Sequence, residues 1–239
     1  MKLTDFKALT FDCYGTLIDW ESGVYLATQA MRTVGNLSIT RDEQLEAFAR
    51  HESTVQTETP TALYSDVLTE THRRMAADLG VKGLTEDDHR RFGESVPYWP
   101  AFDDSAAALR RLKKHFQLVI LSNVHRAGFA ASNRRLGVEF DHIITAQDVG
   151  SYKPTPRNYE VMIEDMGKRG IAPSEILHTA ESLYHDHWRA GQFGLSRAWI
   201  YRRHAQEGFG ATRKPEIDVT PEWKFHSLAE MADAVEAEA

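Results

Sequence analysis

Short apolar runs that each stop at a polar residue constrain this 239-residue chain more than any other feature. Residues 8–11 end at Asp12, residues 118–121 at Ser122 and Asn123, and residues 176–180 at Glu181. Residues 143–146 and 198–201 are two further runs of the same kind. Continuous apolar stretches of this length are what strands buried on both faces of a parallel sheet look like. From Trp99 onward they alternate with helical patterns. Asp103 or Asp104 opens a helix through Leu109 and Leu112, residues 158–166 form another, and residues 227–239 form an amphipathic or fraying tail helix. That alternation predicts βαβ units on a parallel sheet.

Between Ile18 and Tyr98 nothing has the pattern of a strand. Val24, Ala27, Met31 and Val34 recur at helical spacing over residues 20–34, and Thr40 with Glu43 forms a capping box ahead of Leu45, Phe48 and Ala49. Pro60 starts a third helix carrying Leu63, Val67, Leu68 and Met75, closed by Gly80, and residues 85–88 open a fourth. The expectation is an α/β protein: a Rossmann-like parallel-sheet core from residues 1–18 and 99–239, with an all-helical cap domain, 19–98, inserted after the first strand.

Bulk properties exclude several classes. A net charge of −7 with no Lys/Arg block argues against a nucleic-acid partner. No apolar run is long enough to span a bilayer, so no membrane partner is expected. Met1 to Asp5 lead straight into a charged and then strand-like segment, so no signal peptide is expected. The single cysteine, Cys13, has no partner for an intramolecular disulfide, and a cytoplasmic protein follows. Beside Asp12, Cys13 invites a thiol-enzyme reading, but a small buried residue after a strand is the simpler one.

Asp12 ends the first apolar run, and Gly15 allows a sharp turn after it. A carboxylate at the C-terminal end of a parallel strand sits where open α/β sheets keep their ligands, and there it can act as a nucleophile. A strand-end Asp that merely caps a turn is the plain alternative.

The stretch Asp12-Cys13-Tyr14-Gly15-Thr16-Leu17 resembles the first motif of the haloacid dehalogenase (HAD) superfamily, with Tyr14 similar to its type II 2-haloacid dehalogenase branch. The resemblance spans nearly the whole chain and implies the HAD fold. Ser122-Asn123 match the second motif, where Ser or Thr holds the substrate's anionic group and the dehalogenases place an Asn near the leaving halide. Lys153-Pro154 with Tyr159 resemble the third, including the dehalogenase Lys and Tyr. A lone loop Lys is usually a solvated charge, but a cation near Asp12 keeps a nucleophile ionised. In the fourth motif, residues 180–186, Asp186 matches the dehalogenases, whereas Glu181 stands where they have Ser and Leu183 where they have Asn. His185 and His187 flank Asp186; surface groups at a helix start explain them as well as a metal site does. The branch also implies a cap Arg at the halide, for which Arg41 and Arg50 are both candidates.

The chemistry of the leaving group separates the two branches. A phosphate ester expels a basic oxygen that a general acid must protonate, and phosphatases of the superfamily carry a second Asp where this chain has Tyr14. A halide leaves without a proton. The expected function is therefore hydrolytic dehalogenation of small 2-haloacids through an aspartyl ester on Asp12. The expected catalytic residues are Asp12, Thr16, Ser122, Asn123, Lys153, Tyr159 and Asp186, with Cys13, Tyr14, Ser122 and Asn123 binding substrate and no cofactor or metal. The partner is a small anionic substrate, and a homodimer is allowed. The alternatives are a phosphatase with magnesium on Asp12, Glu181 and Asp186, and a non-catalytic HAD-fold binding protein.

Overall fold

The computed structural model describes residues 1–239. Six parallel strands form one sheet: β1 (Ala8–Phe11), β2 (Gln117–Ser122), β3 (His142–Thr145), β4 (Ile176–Ala180), β5 (Ser196–Ile200) and β6 (Trp223–Phe225), in the order β3-β2-β1-β4-β5-β6. β1 is central. Phe11 lies level with Ile120 of β2 and with Thr179 of β4, so Asp12 emerges where the strand order reverses. In open α/β sheets, that switch point is the ligand-binding crevice. Side chains alternate across the sheet: Leu9, Phe11, Leu118 and Ile120 enter one apolar cluster, and Ala8, Val119 and Leu121 enter a second on the opposite face.

Between β1 and β2 the chain is helical: α1 (Trp20–Ala27), α2 (Gln29–Gly35), α3 (Arg41–Glu58), α4 (Tyr64–Asp78) and α5 (Glu86–Gly93). The entering and leaving segments of this insertion run side by side. Ile18 bridges Ala101 antiparallel, Asp19 N donates to Pro100 O at 2.8 Å, and Phe102 N donates to Leu17 O at 3.1 Å. Beyond the insertion lie α6 (Ser105–Leu112), α7 (Arg126–Leu136), α8 (Ala146–Val149), α9 (Pro156–Lys168), α10 (Trp188–Gln192) and α11 (Leu228–Glu238). No helix is long and apolar enough to cross a membrane.

Several helix boundaries differ from the sequence expectation, each for a local reason. The pattern over 20–34 is two helices. Thr28 Oγ1 donates back to Val24 O at 2.7 Å, competing with the backbone ladder at the break, and Val34 is exposed. α4 begins at Tyr64 rather than at Pro60, because Ala62 O is taken by the Tyr152 hydroxyl at 2.7 Å and Leu63 is extended. Asp104 precedes α6 but caps a different helix: its Oδ2 accepts from Leu228 N and Ala229 N, the first turn of α11. Ser227 accepts from Glu230 N, and Leu228, Met231, Ala232 and Val235 are buried, so the tail helix is docked. The Thr40–Glu43 and Thr85–Asp88 boxes are both formed.

Candidate active site

Four segments at the C-terminal edge of the sheet converge on Asp12. Gly15, at φ +94°, turns the chain directly after β1, and Thr16 Oγ1 reaches back to donate to Asp12 Oδ2 at 2.9 Å. The same hydroxyl oxygen accepts from Glu181 N at 2.9 Å, which ties the β1 loop to the β4 loop. Lys153 enters from the loop after α8, its side chain only 1% exposed. Its Nζ donates to Asp12 Oδ1 at 2.9 Å, to Asp186 Oδ1 at 2.6 Å and to Leu121 O at 2.9 Å. All three ammonium donors are therefore used, and one cation serves two buried carboxylates. Asn123 positions this lysine from behind, with Nδ2 donating to Lys153 O at 3.0 Å and Oδ1 accepting from Lys153 N at 2.6 Å.

Asp186 lies on a single π-helical turn, Leu183–His187, opened by Ser182, whose Oγ accepts from His185 N at 2.9 Å. Below that turn the buried Tyr159 hydroxyl donates to His185 O at 3.0 Å. His178, inside β4, lies 3.0 Å from Asp186 Oδ1 through Nε2 and 2.9 Å from Thr10 Oγ1 through Nδ1. An ionised Asp186 can only accept, so Nε2 donates to it. Asp186 Oδ2 and Ser122 Oγ are buried with no partner in the protein. Asp186 lines the cavity over Asp12, and an unsatisfied buried polar atom there marks where a ligand or water atom belongs.

The two carboxylates titrate apart. Burial raises Asp12 above the ordinary range, and Asp186 adds to this; Lys153 and Thr16 pull it only part of the way back. Burial also works against ionised Asp186, but Lys153 and His178 outweigh it and hold that carboxyl well below the usual range. Burial opposes the Lys153 charge in turn, and the two aspartates overcome it and raise the ammonium. Asp186 is the fixed anion, and Asp12 is the one that responds to its surroundings.

The cavity over Asp12 has a volume of about 30 Å³ and is lined by Tyr14, Asn123, Lys153, Ser182, His185, Asp186 and Thr212 of the core and by Trp20, Glu52 and Tyr64 of the insertion. Of the sequence-derived candidates, Asp12, Thr16, Lys153 and Asp186 are brought into direct hydrogen-bonded contact. Ser122, at the end of β2, is buried with an unpartnered Oγ and does not line the cavity, and Asn123 acts on the lysine backbone while lining it. Tyr159 meets the Asp186 turn from beneath and does not line the cavity. The Cys13 side chain is wholly buried in the apolar core and its thiol is pushed up by burial, so only its backbone can face a substrate. The Tyr14 hydroxyl lies 2.9 Å from Ser132 Oγ.

Glu181 does not join Asp12 and Asp186 as a metal ligand, nor does it pair with Lys153. Its Oε2 accepts from Thr212 Oγ1 at 3.4 Å, and it lines a separate cavity with Glu21, Arg41, Arg202 and Arg203. Burial, then the charges of Glu21 and Asp12, push it up to about 8. Lys153 Nζ sits between the two aspartates, and no set of three acidic, His or Cys groups converges to hold an ion. The residues present do not fit the magnesium site of the phosphatase alternative. Neither cap arginine reaches the cavity. Arg41 bonds Ser22 Oγ at 3.0 Å and lies over Tyr25, while Arg50 pairs with Asp78 at 2.9 Å on the surface. Two site residues escaped the sequence reading. His178 is a polar residue inside an otherwise apolar buried strand, which is a usable signal; Glu52 lies on a helix with no motif around it.

The family model described as haloacid dehalogenase-like hydrolase matches residues 6–179. An (S)-2-haloacid dehalogenase of Pseudomonas putida is 28% identical, covering 97% of this chain and 97% of that one. A haloacetate dehalogenase of Moraxella sp. (strain B) is 30% identical over 82% of this chain and 86% of its own. Among solved structures, the L-2-haloacid dehalogenase of Xanthobacter autotrophicus with chloropropionic acid covalently bound superposes with a TM-score of 0.77 at 22% identity, covering 98% of this chain and 100% of that one. A putative HAD-hydrolase of Bacillus subtilis bound to magnesium superposes with a TM-score of 0.73 at 19% identity, covering 97% and 99%. The fold is thus common to dehalogenases and to a magnesium-bound relative, and the choice of chemistry falls to the side chains.

Proposed function

The chain belongs to the haloacid dehalogenase-like hydrolase family, and within it we propose that this protein hydrolyses small 2-haloacids through an aspartyl ester on Asp12. The observation that carries this reading is the single ammonium of Lys153 set between Asp12 and Asp186. A phosphoryl dianion approaching Asp12 calls for a divalent cation, whereas a substrate carrying one carboxylate can be balanced by a lysine already in place. Tyr14 points the same way, since its phenol supplies no carboxylic acid for an oxygen leaving group. Relatives in Pseudomonas putida and Pseudomonas fluorescens are named as (S)-2-haloacid dehalogenases, which favours the same substrate class and the (S) configuration.

In the first step an Asp12 oxygen attacks the halogen-bearing carbon from behind; the C–O bond forms and the halide departs with the C–X electron pair. The substrate carboxylate is met by the unpartnered Ser122 Oγ and by the Cys13 and Tyr14 amides at the turn after β1. In the second step water attacks the ester carbonyl of Asp12, restoring the carboxylate and releasing a 2-hydroxy acid. The free Oδ2 of Asp186 orients that water, and Asp186's depressed pKa makes it an acceptor that stays ionised rather than a strong base. Residues 19–98 act as a cap that closes over this chemistry. A cavity of about 30 Å³ holds little more than a water or two, so the insertion opens to admit substrate. No step in this scheme calls for a cofactor, and the lone cysteine, Cys13, supports a cytoplasmic site for the reaction.

The test follows halide and phosphate release from (S)-2-chloropropionate and an aryl phosphate, with a single turnover in oxygen-18 water. Chloride release without phosphate release is expected, with label entering Asp12 before product, and Asp12→Asn should turn over neither substrate. Label appearing directly in the hydroxy acid, or phosphate release alone, overturns the reading.

A further inference from the structure

Backside attack fixes where the leaving group sits: across the reacting carbon from the Asp12 oxygen, facing the helical insertion. The wall on that side is Trp20 of α1, Glu52 of α3 and Tyr64 of α4. Glu52 is its one carboxyl group, and it is 4% exposed. On its own helix it meets Gln56, whose Nε2 donates to Oε1. From α4 the Tyr64 phenol hydrogen-bonds to its carboxyl group. Tyr14 and Tyr152 flank the same aromatic wall, and their hydroxyls are engaged with Ser132 and with Ala62 O. The same cavity is lined from the core by Asp12, Lys153, His185 and Asp186. The one cation in this set, Lys153, has all three donors committed to Asp12, Asp186 and Leu121 O. An ionised Glu52 would place a third carboxylate around a space that must admit an anion. Burial instead pushes its carboxyl up to about 8, which leaves it protonated at neutral pH.

We propose that Glu52, as a neutral carboxylic acid, is the leaving-group residue of this site: its O–H donates a hydrogen bond to the departing halide, in the place where a cation would otherwise stand. This rests on the dehalogenase reading of Asp12. As the Asp12 O–C bond forms, the C–X pair passes to the halide, and the proton stays on Glu52. A neutral donor stabilises a small, strongly accepting halide more than a large, diffuse one, so the pocket favours fluoride and chloride over bromide relative to the same pocket without the acid.

The experiment compares wild type, Glu52→Gln and Glu52→Leu on (S)-2-chloropropionate and (S)-2-bromopropionate from pH 6 to 9.5. Wild-type kcat/KM should fall above about pH 8, where Glu52 ionises, loses its donor and repels the substrate. Glu52→Gln keeps an N–H donor that does not titrate and should abolish that alkaline limb. Glu52→Leu should lose roughly tenfold to a hundredfold on chloride, the range for removing a hydrogen bond to a charged group, and clearly less on bromide. If Glu52→Leu does not fold, the Glu52→Gln pH profile decides alone. A wild-type profile flat to pH 9.5, a limb retained in Glu52→Gln, or equal losses on both halides would overturn the proposal while leaving the dehalogenase reading in place. No halide release from the wild type sinks both.

Discussion

At the scale of single residues, one ammonium is divided between two carboxylates that burial would otherwise protonate. Removing it should affect turnover and stability in ways that can be told apart. Lys153→Met takes away the charge that pulls Asp12 down, so Asp12 ionises at higher pH and the acid limb of the pH–rate profile moves upward, with most turnover lost. It also leaves Asp12 and Asp186 buried without the ammonium they share, which should cost about 3–5 kcal/mol in urea unfolding. The linkage has a definite sign. The folded pKa of Asp186 is depressed from 3.8, so its contribution is complete above that value and is lost as pH falls below it. Wild type should therefore lose stability on acidification below about pH 3.8 more steeply than Lys153→Met, and a variant with wild-type kinetics would reduce Lys153 to a structural residue. Asp12, Lys153 and Asp186 were legible because each follows a strand or sits in a recognisable motif. Tyr159 was expected among the catalytic residues, but it meets the Asp186 turn from beneath and does not line the cavity, and Glu52 was not legible at all. Its neighbours Tyr64 and Trp20 come from other helices, and helical spacing on α3 says nothing of what lies across a cavity.

At the scale of elements, what the sequence displayed was local chemistry, and what it concealed was contact between distant segments. The Thr40 box was readable because both partners lie three residues apart: Glu43 N donates to Thr40 Oγ1 at 3.2 Å and Glu43 Oε2 accepts from Thr40 N at 2.7 Å. Thr40→Ala should cost about 1 kcal/mol in thermal or denaturant unfolding, with little change in turnover, since the cap lies at the solvent end of α3. A loss of activity much larger than that of stability would mean that α3 placement, and with it Glu52, depends on this cap. The start of α4 was misjudged from Pro60 because the Tyr152 hydroxyl, from the far side of the sequence, takes Ala62 O. The break at Thr28 depends on a side chain that bonds its own helix backbone. β6 has three residues around the exposed Lys224, too few to show a period. The π-helical turn under Asp186 was invisible for the same kind of reason: Tyr159, from α9, holds its carbonyl.

At the scale of the whole molecule, the sheet's switch point, the inserted helices and the distribution of charge bear on one question, whether the reaction needs a metal. The strand order and the position of Asp12 are common to both chemistries, so the architecture does not answer it. The side chains do. Glu181, the residue that kept the phosphatase alternative open, is turned toward Thr212 and a neighbouring cavity lined with arginines, and is held protonated up to about pH 8. Glu181 is turned away from Asp12 and Asp186, and Lys153 Nζ already bonds both of those carboxylates. Activity should accordingly survive exhaustive chelation, and added magnesium should change it little. Glu181→Gln removes a proton site but no charge at pH 7 and should keep turnover within a few-fold of wild type. Asp186→Asn removes the anion that Lys153 and His178 share and should lose turnover by orders of magnitude. The folded pKa of Glu181 is raised, so its destabilising contribution grows as pH rises above its unfolded value of 4.5 toward about 8. Glu181→Gln should therefore be relatively more heat-stable at pH 8 than at pH 5. Loss of activity on chelation with recovery on magnesium, together with a Glu181→Gln variant as damaged as Asp186→Asn, would mean that Glu181 swings in beside Asp12 and that the dehalogenase assignment gives way to a phosphatase.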